Sequence, residues 1–246
     1  MTGELSILHT NDFHGGLTPE RFEDLRALQS RADLYFDCGD AVTYGNVAVP
    51  LAPDPVWPRL AELACDASVP GNREFHVLAP VFQSKMKGAA HPVVCANLFD
   101  REGRLVYPAS RILTHSDLRI GVVGGMVPMV TERMATRHVS AYLMTPPIPA
   151  IENEARRLRS EVDLLIALTH IGQRRDRELA MACPELDVIL GGHSHDLILP
   201  ERVGEVWIAQ SGSHGRYAGL YVWDGERLGG EHVALSARAS SRSRPR

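Results

Sequence analysis

Seven residues with metal-ligating side chains fall in five short motifs, each at the end of an apolar run. The motifs are Asp12-Phe13-His14, Gly39-Asp40, Gly71-Asn72, Thr169-His170 and Gly191-Gly192-His193-Ser194-His195. One histidine or aspartate alone is ordinarily a satisfied core or surface group, but five such motifs in this order point to a single shared site. Carboxylate and amide oxygens mixed with imidazole nitrogens suit borderline divalent ions such as Mn²⁺, Fe²⁺, Co²⁺ or Zn²⁺. Seven ligands are too many for one ion. Shared between two ions about 3.5–4 Å apart, with one carboxylate bridging, they leave positions open for a hydroxide and for substrate oxygens. Such a centre lowers the pKa of bound water and neutralises charge on a phosphoryl group under in-line attack.

The elements that must position these residues alternate between strand and helix. Leu5 to His9 reads as a first strand. Thr18 as N-cap, with Pro19 at the first helical position, opens a helix whose Phe22, Leu25 and Leu28 share one face. Leu34 to Phe36 is a second strand, Asp54-Pro55 starts a helix burying Val56, Leu60 and Leu63, and Ala67 to Val69 leads into Gly71-Asn72. Val93 to Ala96 reads as a buried strand. Segments from about Leu105 to Leu113 and from Leu118 to Val123 flank His115-Ser116-Asp117 as a hairpin. A helix from about Ile148 to Ser160 precedes Val162 to Leu168, whose unbroken apolar run fits a strand covered on both faces. Leu186 to Leu190, Val206 to Ala209 and Leu220 to Trp223 complete a mixed α/β sandwich. Strand-end loops of such sheets gather ligands from several elements around one point.

The chain of 246 residues, 44% hydrophobic and 23% charged, fits one globular domain over residues 1–235. Residues 236–246 form a Ser/Arg/Pro tail expected to be disordered. Its Arg238, Arg242, Arg244 and Arg246 leave −8 on the remainder of a chain whose formal charge is −4. An acidic body argues against a nucleic-acid face. No run approaches the roughly 18 apolar residues of a membrane span, and no basic and apolar leader precedes the first strand, so a cytoplasmic location is expected. Cys38, Cys65, Cys95 and Cys183 lack Cys-x-x-Cys spacing and read as small buried hydrophobes. The Gly124-Gly125 pair lacks the spacing of a dinucleotide fingerprint.

Taken together, Leu8 to Gly15, Asp37 to Asp40, Gly71-Asn72, Leu168 to Gly172, Gly191 to His195 and Gln210 to Tyr217 resemble the calcineurin-like metallophosphoesterases, specifically the N-terminal domain of their 5′-nucleotidase branch. The resemblance runs from about residue 5 to 223. It implies a four-layer α/β/β/α sandwich and a metal-dependent phosphoric ester hydrolase. It also implies that Asp12, His14 and His195 hold one ion, that Asn72, His170 and His193 hold the other, and that Asp40 bridges them. Related enzymes are often exported.

Two departures qualify the resemblance. The family reads Gly-Asn-His-Glu-Phe-Asp where this chain has Gly71-Asn72-Arg73-Glu74-Phe75-His76. Arg73 replaces the catalytic histidine and His76 its orienting aspartate. Arginine stays protonated, so Arg73 could clamp a phosphate oxygen but not donate a proton. A lost general acid costs roughly 10²–10⁴-fold, least with good leaving groups. His76 could swing in as a proton donor or merely begin a helix, and Arg73 could equally face solvent. Second, the nucleotidase branch carries a further C-terminal domain whose aromatic residues sandwich the base, and only a short hairpin and the tail follow Trp223 here. Nucleotide specificity therefore does not transfer.

Asn97, His214 and Arg216 are candidates for the substrate side, with Asn97 also placed for a supporting contact behind the ligands. A structural role for the loop of His214 and Arg216 is the alternative. His9, His91, His115, His138 and His232 lack motif context. The expectation is a two-metal phosphoesterase acting on a small phosphorylated monoester or diester. The alternative is a phosphate- or metal-binding module whose catalysis is impaired, and an interaction domain on a reused fold has little support.

Overall fold

The computed structural model describes residues 4–236. The basic tail, apart from Ser236, lies outside them. In chain order the first half comprises β1 (Leu5–Thr10), α1 (Pro19–Gln29), β2 (Leu34–Asp37), α2 (Val56–Glu62), β3 (Ala67–Ser68), α3 (Ala79–Lys85), β4 (Leu98–Asp100), β5 (Ser110–His115) and β6 (Leu118–Met126). The second half comprises β7 (Tyr142–Met144), α4 (Pro147–Leu158), β8 (Leu164–His170), α5 (Gln173–Ala182), β9 (Val188–Gly191), β10 (Leu197–Val203), β11 (Val206–Ser211), β12 (Tyr217–Trp223) and β13 (Leu228–Ala234).

Two mixed sheets carry the architecture, with strand orders β13-β12-β1-β2-β3 and β10-β11-β9-β8-β6-β5. Strands β1, β2 and β3 run parallel, as do β6, β8, β9 and β11; antiparallel strands complete both sheets. Period-two alternation explains why the sheets stack. Ile7, Leu34, Phe36, Leu164, Ile166, Leu168, Val188 and Leu190 share one central core between the sheets. The intervening Leu8 and Tyr35 turn outward beneath α1 and α2, while Leu165, Ala167 and Ile189 turn outward beneath α4 and α5. The result is the four-layer α/β/β/α sandwich.

Local chemistry sets several boundaries. Thr18 is extended and its hydroxyl accepts from Arg21 N at 3.4 Å, with Pro19 in the first turn of α1. Asp54 accepts from Val56 N at 3.0 Å and so caps α2 through its side chain. Ser236 is pinned to α1, its N donating to Asp24 and its O accepting from Arg21.

Two expectations are corrected. Val93 to Ala96 forms a single bridge to Ser68 rather than a strand, with Cys95 N and Ala96 N donating to Pro108 O and Gly124 O. Gly124 makes this possible, since a Cβ there would stand 2.1 Å from Val94 O. The hairpin strand starts at Ser110 instead of Leu105. Elements α3, α5, β4, β7 and β10 were not expected from the sequence. All four cysteines are buried and unpaired, as anticipated. No helix among the described residues is long and apolar enough to cross a membrane.

Candidate metal centre

All five motifs converge where the parallel strands end. Asp12 follows β1, Asp40 follows β2, Asn72 follows β3, His170 closes β8, and His193 and His195 follow β9. Backbone hydrogen bonds knit the turns within the first sheet, Asp12 N to Gly39 O at 2.8 Å and His14 N to Asp40 O at 2.9 Å. Side chains then join the sheets. His170 Nδ1 meets Cys38 O at 2.6 Å, and His193 N donates to Asp12 Oδ2 at 2.8 Å. Because a carbonyl can only accept, His170 carries a proton on Nδ1 and turns Nε2 toward the site.

The donors form two adjoining groups. In the first, His14 Nε2 and His195 Nε2 face each other at 2.8 Å and stand 3.3 and 3.2 Å from Asp12 Oδ1. Ligands about 2.1 Å from one octahedral ion are about 3 Å apart, so this spacing fits a cation. In the second, Asn72 Oδ1 lies 2.8 Å from His193 Nδ1 and 3.2 Å from His170 Nε2, with Asp40 Oδ1 3.5 Å from that Nε2. Asp40 Oδ2 is 3.9 Å from His14 Nδ1, which places the Asp40 carboxylate between the second group and the His14 ring. Asp12 is also common to both sets of converging donors, one with His14 and His195 and the other with Asp40 and His170.

Two observations argue that these donors lack a partner. Asp12 Oδ1, the carboxylate oxygen that faces His14 Nε2 and His195 Nε2, is buried without any hydrogen bond, which is costly for such a group unless an ion satisfies it. Electrostatics agree. Burial opposes ionisation, yet the contact with His14 holds the Asp12 carboxyl down at about 2, and the neighbouring Asp40 and Asp12 carboxylates raise His170 to about 9 against its burial. Asp12 and Asp40 thus present carboxylate charge that a divalent cation would neutralise in place of the second His170 proton.

The backbone is strained here. Among the described residues eight non-glycines have positive φ, and Asp12, His14, Asp40, His193, His195 and His214 account for six of them. Each such conformation costs roughly 1 kcal/mol or more, which places the strain at the site. Gly71 is required for a different reason: a Cβ there would lie 2.2 Å from Asp40 Oδ1.

The remaining candidates divide. Arg73 is brought to the site: its N donates to Asp40 Oδ1 at 2.6 Å and its Nε stands 3.9 Å from Asp40 Oδ2. His214 is also brought there, its ring 5.1 Å from that of His14 and 5.6 Å from that of His195. Arg216 follows on the same loop with an exposed side chain. His76 is not gathered in. Its Nδ1 accepts from Leu78 N at 3.1 Å at the start of α3, the helix-start alternative. Asn97 is corrected as a substrate contact: it is fully buried, with Nδ2 donating to Met126 O and Thr145 O and Oδ1 accepting from Met126 N. No group is left for a substrate, and Asn97 instead fixes the backbone beside Val127, whose N donates to His170 O.

Two supporting residues escaped the sequence reading. Asn11 Nδ2 donates to Asp12 Oδ2 at 2.8 Å and to Gly212 O at 2.7 Å. Glu74 is buried and accepts from Asp40 N, Gly71 N and Val42 N, tying the second and third motif loops together. Both lie inside the quoted motifs, so a neighbour of a ligand was the available signal.

The chain belongs to the calcineurin-like phosphoesterase family, whose profile matches residues 5–197. It is 26% identical over 234 residues to the 5′-nucleotidase of Vibrio cholerae, covering 81% of this chain and 42% of that protein. It is 26% identical over 243 residues to the uncharacterized metallophosphoesterase YunD of Bacillus subtilis, covering 89% and 50%. The chain thus spans half or less of these relatives' length. Its fold matches that of the 5′-nucleotidase precursor from Thermus thermophilus with a TM-score of 0.76 at 23% identity, over 95% of this chain and 55% of the other. The calcineurin-like phosphoesterase YfkN from Bacillus subtilis matches with a TM-score of 0.74 at 19% identity, over 96% and 93%.

Proposed function

We propose that the chain is a dinuclear-metal-dependent phosphoesterase that hydrolyses a small phosphomonoester or phosphodiester, nucleotide-like substrates included. The observation that carries this reading is the pair of donor groups that meet at Asp12 and Asp40, with the buried Asp12 Oδ1 left without a hydrogen bond. Asp12, His14 and His195 would hold one divalent ion and Asn72, His170 and His193 the other, with Asp40 between them. Mn²⁺, Fe²⁺, Co²⁺ and Zn²⁺ all fit this donor set. Bound there, the ions would activate a water and offset phosphoryl charge.

The chain's own groups do the rest. His170 keeps its Nδ1 proton on Cys38 O and so holds its imidazole in one orientation. Arg73, beside Asp40, supplies a guanidinium that clamps a phosphate oxygen. It donates no proton, so the leaving group departs as an anion and aryl esters react best. His214 and Arg216 line the substrate side. Nucleotides belong among the substrates to test because the chain is similar to a 5′-nucleotidase, of which it spans 42%. Assay of Mn²⁺-loaded protein on aryl phosphates, aryl phosphodiesters and nucleotides tests the reading. Bound metal without turnover on any of them would count against it.

A second reading, a phosphate-binding module with impaired catalysis, is favoured by Arg73 and by the engagement of His76 with Leu78 N. It expects phosphate binding with negligible turnover.

A further inference from the structure

The Asn72 carboxamide has two nearly isosteric ends, and only its oxygen has a lone pair to offer a cation. Its Oδ1 faces His193 Nδ1 and His170 Nε2, while its Nδ2 donates to Asn46 Oδ1 at 3.0 Å. Rotated by half a turn, the amide would aim N–H groups at the cation position. Among the described contacts the acceptor that distinguishes the two orientations is Asn46.

Asn46 itself is exposed, on a stretch whose Val47, Val49 and Leu51 stand 88%, 61% and 101% accessible. Such a segment would not by itself hold a side chain in register. Lys85 supplies the anchor. It is fully buried, and its Nζ donates to Gly45 O and Asn46 O at 2.9 Å and to Arg73 O at 2.7 Å, with Phe75 O at 3.3 Å. A buried ammonium is retained only where hydrogen bonds satisfy it. Here the acceptors belong to the two segments whose separation sets the Asn46–Asn72 contact.

We propose that Asn46, held in place by Lys85, is the positioning residue that orients Asn72 toward its cation. This rests on the reading of Asn72, His170 and His193 as one ion's ligands. The test is calorimetric titration of metal-free protein with Mn²⁺, alongside its melting temperature. Asn46→Leu removes the acceptor and is expected to weaken one of two Mn²⁺ sites by roughly 10–100-fold. The other site and the metal-free melting temperature stay unchanged, because the side chain is exposed. Asn46→Asp keeps an acceptor oxygen and is expected to retain binding at both sites. Lys85→Met should reproduce the loss at the cost of stability, and the Asn46 pair keeps the test valid if that variant does not fold. Wild-type affinity at both sites in Asn46→Leu overturns the proposal, as does equal weakening of both accompanied by a lower melting temperature. Wild-type protein that takes up no Mn²⁺ overturns the site reading, and this inference with it.

Discussion

His14 and His195 point their Nε2 atoms at each other across 2.8 Å, and each also stands about one ligand spacing from Asp12 Oδ1. They come from loops 181 residues apart on different sheets. A cation is the simplest partner for three converging acceptors. Replacing His195 with Ala should therefore lower the bound metal from two equivalents toward one, read by elemental analysis after dialysis against Mn²⁺. Two retained equivalents would remove His195 from the ligand set.

Arg73→His returns a proton donor to the position beside Asp40. On substrates with poor leaving groups the rate should rise by about 10²–10⁴-fold, the usual worth of general acid help. On aryl phosphates it should change little. Comparison of kcat/KM across phosphate esters of graded leaving-group pKa measures this, and an unchanged dependence would deny Arg73 the place of the missing acid.

Metal should also stabilise the fold, since the converging carboxylate and imidazole donors are assembled only in the folded chain. Binding to the native state alone adds about 2.7 kcal/mol at a free ion concentration of 100 times Kd. Chelator-treated protein should melt at a lower temperature and recover on adding Mn²⁺. Identical melting curves would show that no ion is held.

Much of this was legible beforehand, and the exceptions have identifiable causes. Helix α1 announces itself through Thr18 and Pro19, and β8 through its continuous apolar run. Helix α5 does not, because the face it buries begins with Asp176, whose carboxyl accepts from Thr169 Oγ1 at 2.6 Å. A buried carboxylate reads as solvent-facing in sequence. Strand β10 contains Pro200 and changes register between Ile198 and Glu201, features tolerated only at a sheet edge. The ligands were visible because loop chemistry at strand ends is local. Asn46 and Lys85 act through contacts 26 and 39 residues distant, which no motif encodes.

Burial lowers His91 from 6.5 to about 4, with Nε2 held against Ser68 Oγ at 2.8 Å. A histidine depressed on folding stabilises the native state above its unfolded pKa. That stability is fully present above pH 6.5 and is lost as pH falls toward 4, at about 1.4 kcal/mol per pH unit. Urea unfolding of metal-free wild type and His91→Gln across this range should show a shallower pH dependence in the variant. Parallel profiles would place the titration elsewhere.

The central claim is that side chains from both sheets hold two adjacent cations. Anomalous diffraction from a Mn²⁺-soaked crystal tests it most directly. Two peaks flanked by Asp12 and Asp40 are expected, one against His14 and His195 and the other against Asn72, His170 and His193. No peak there, or ions bound only at other places on the molecule, would contradict it.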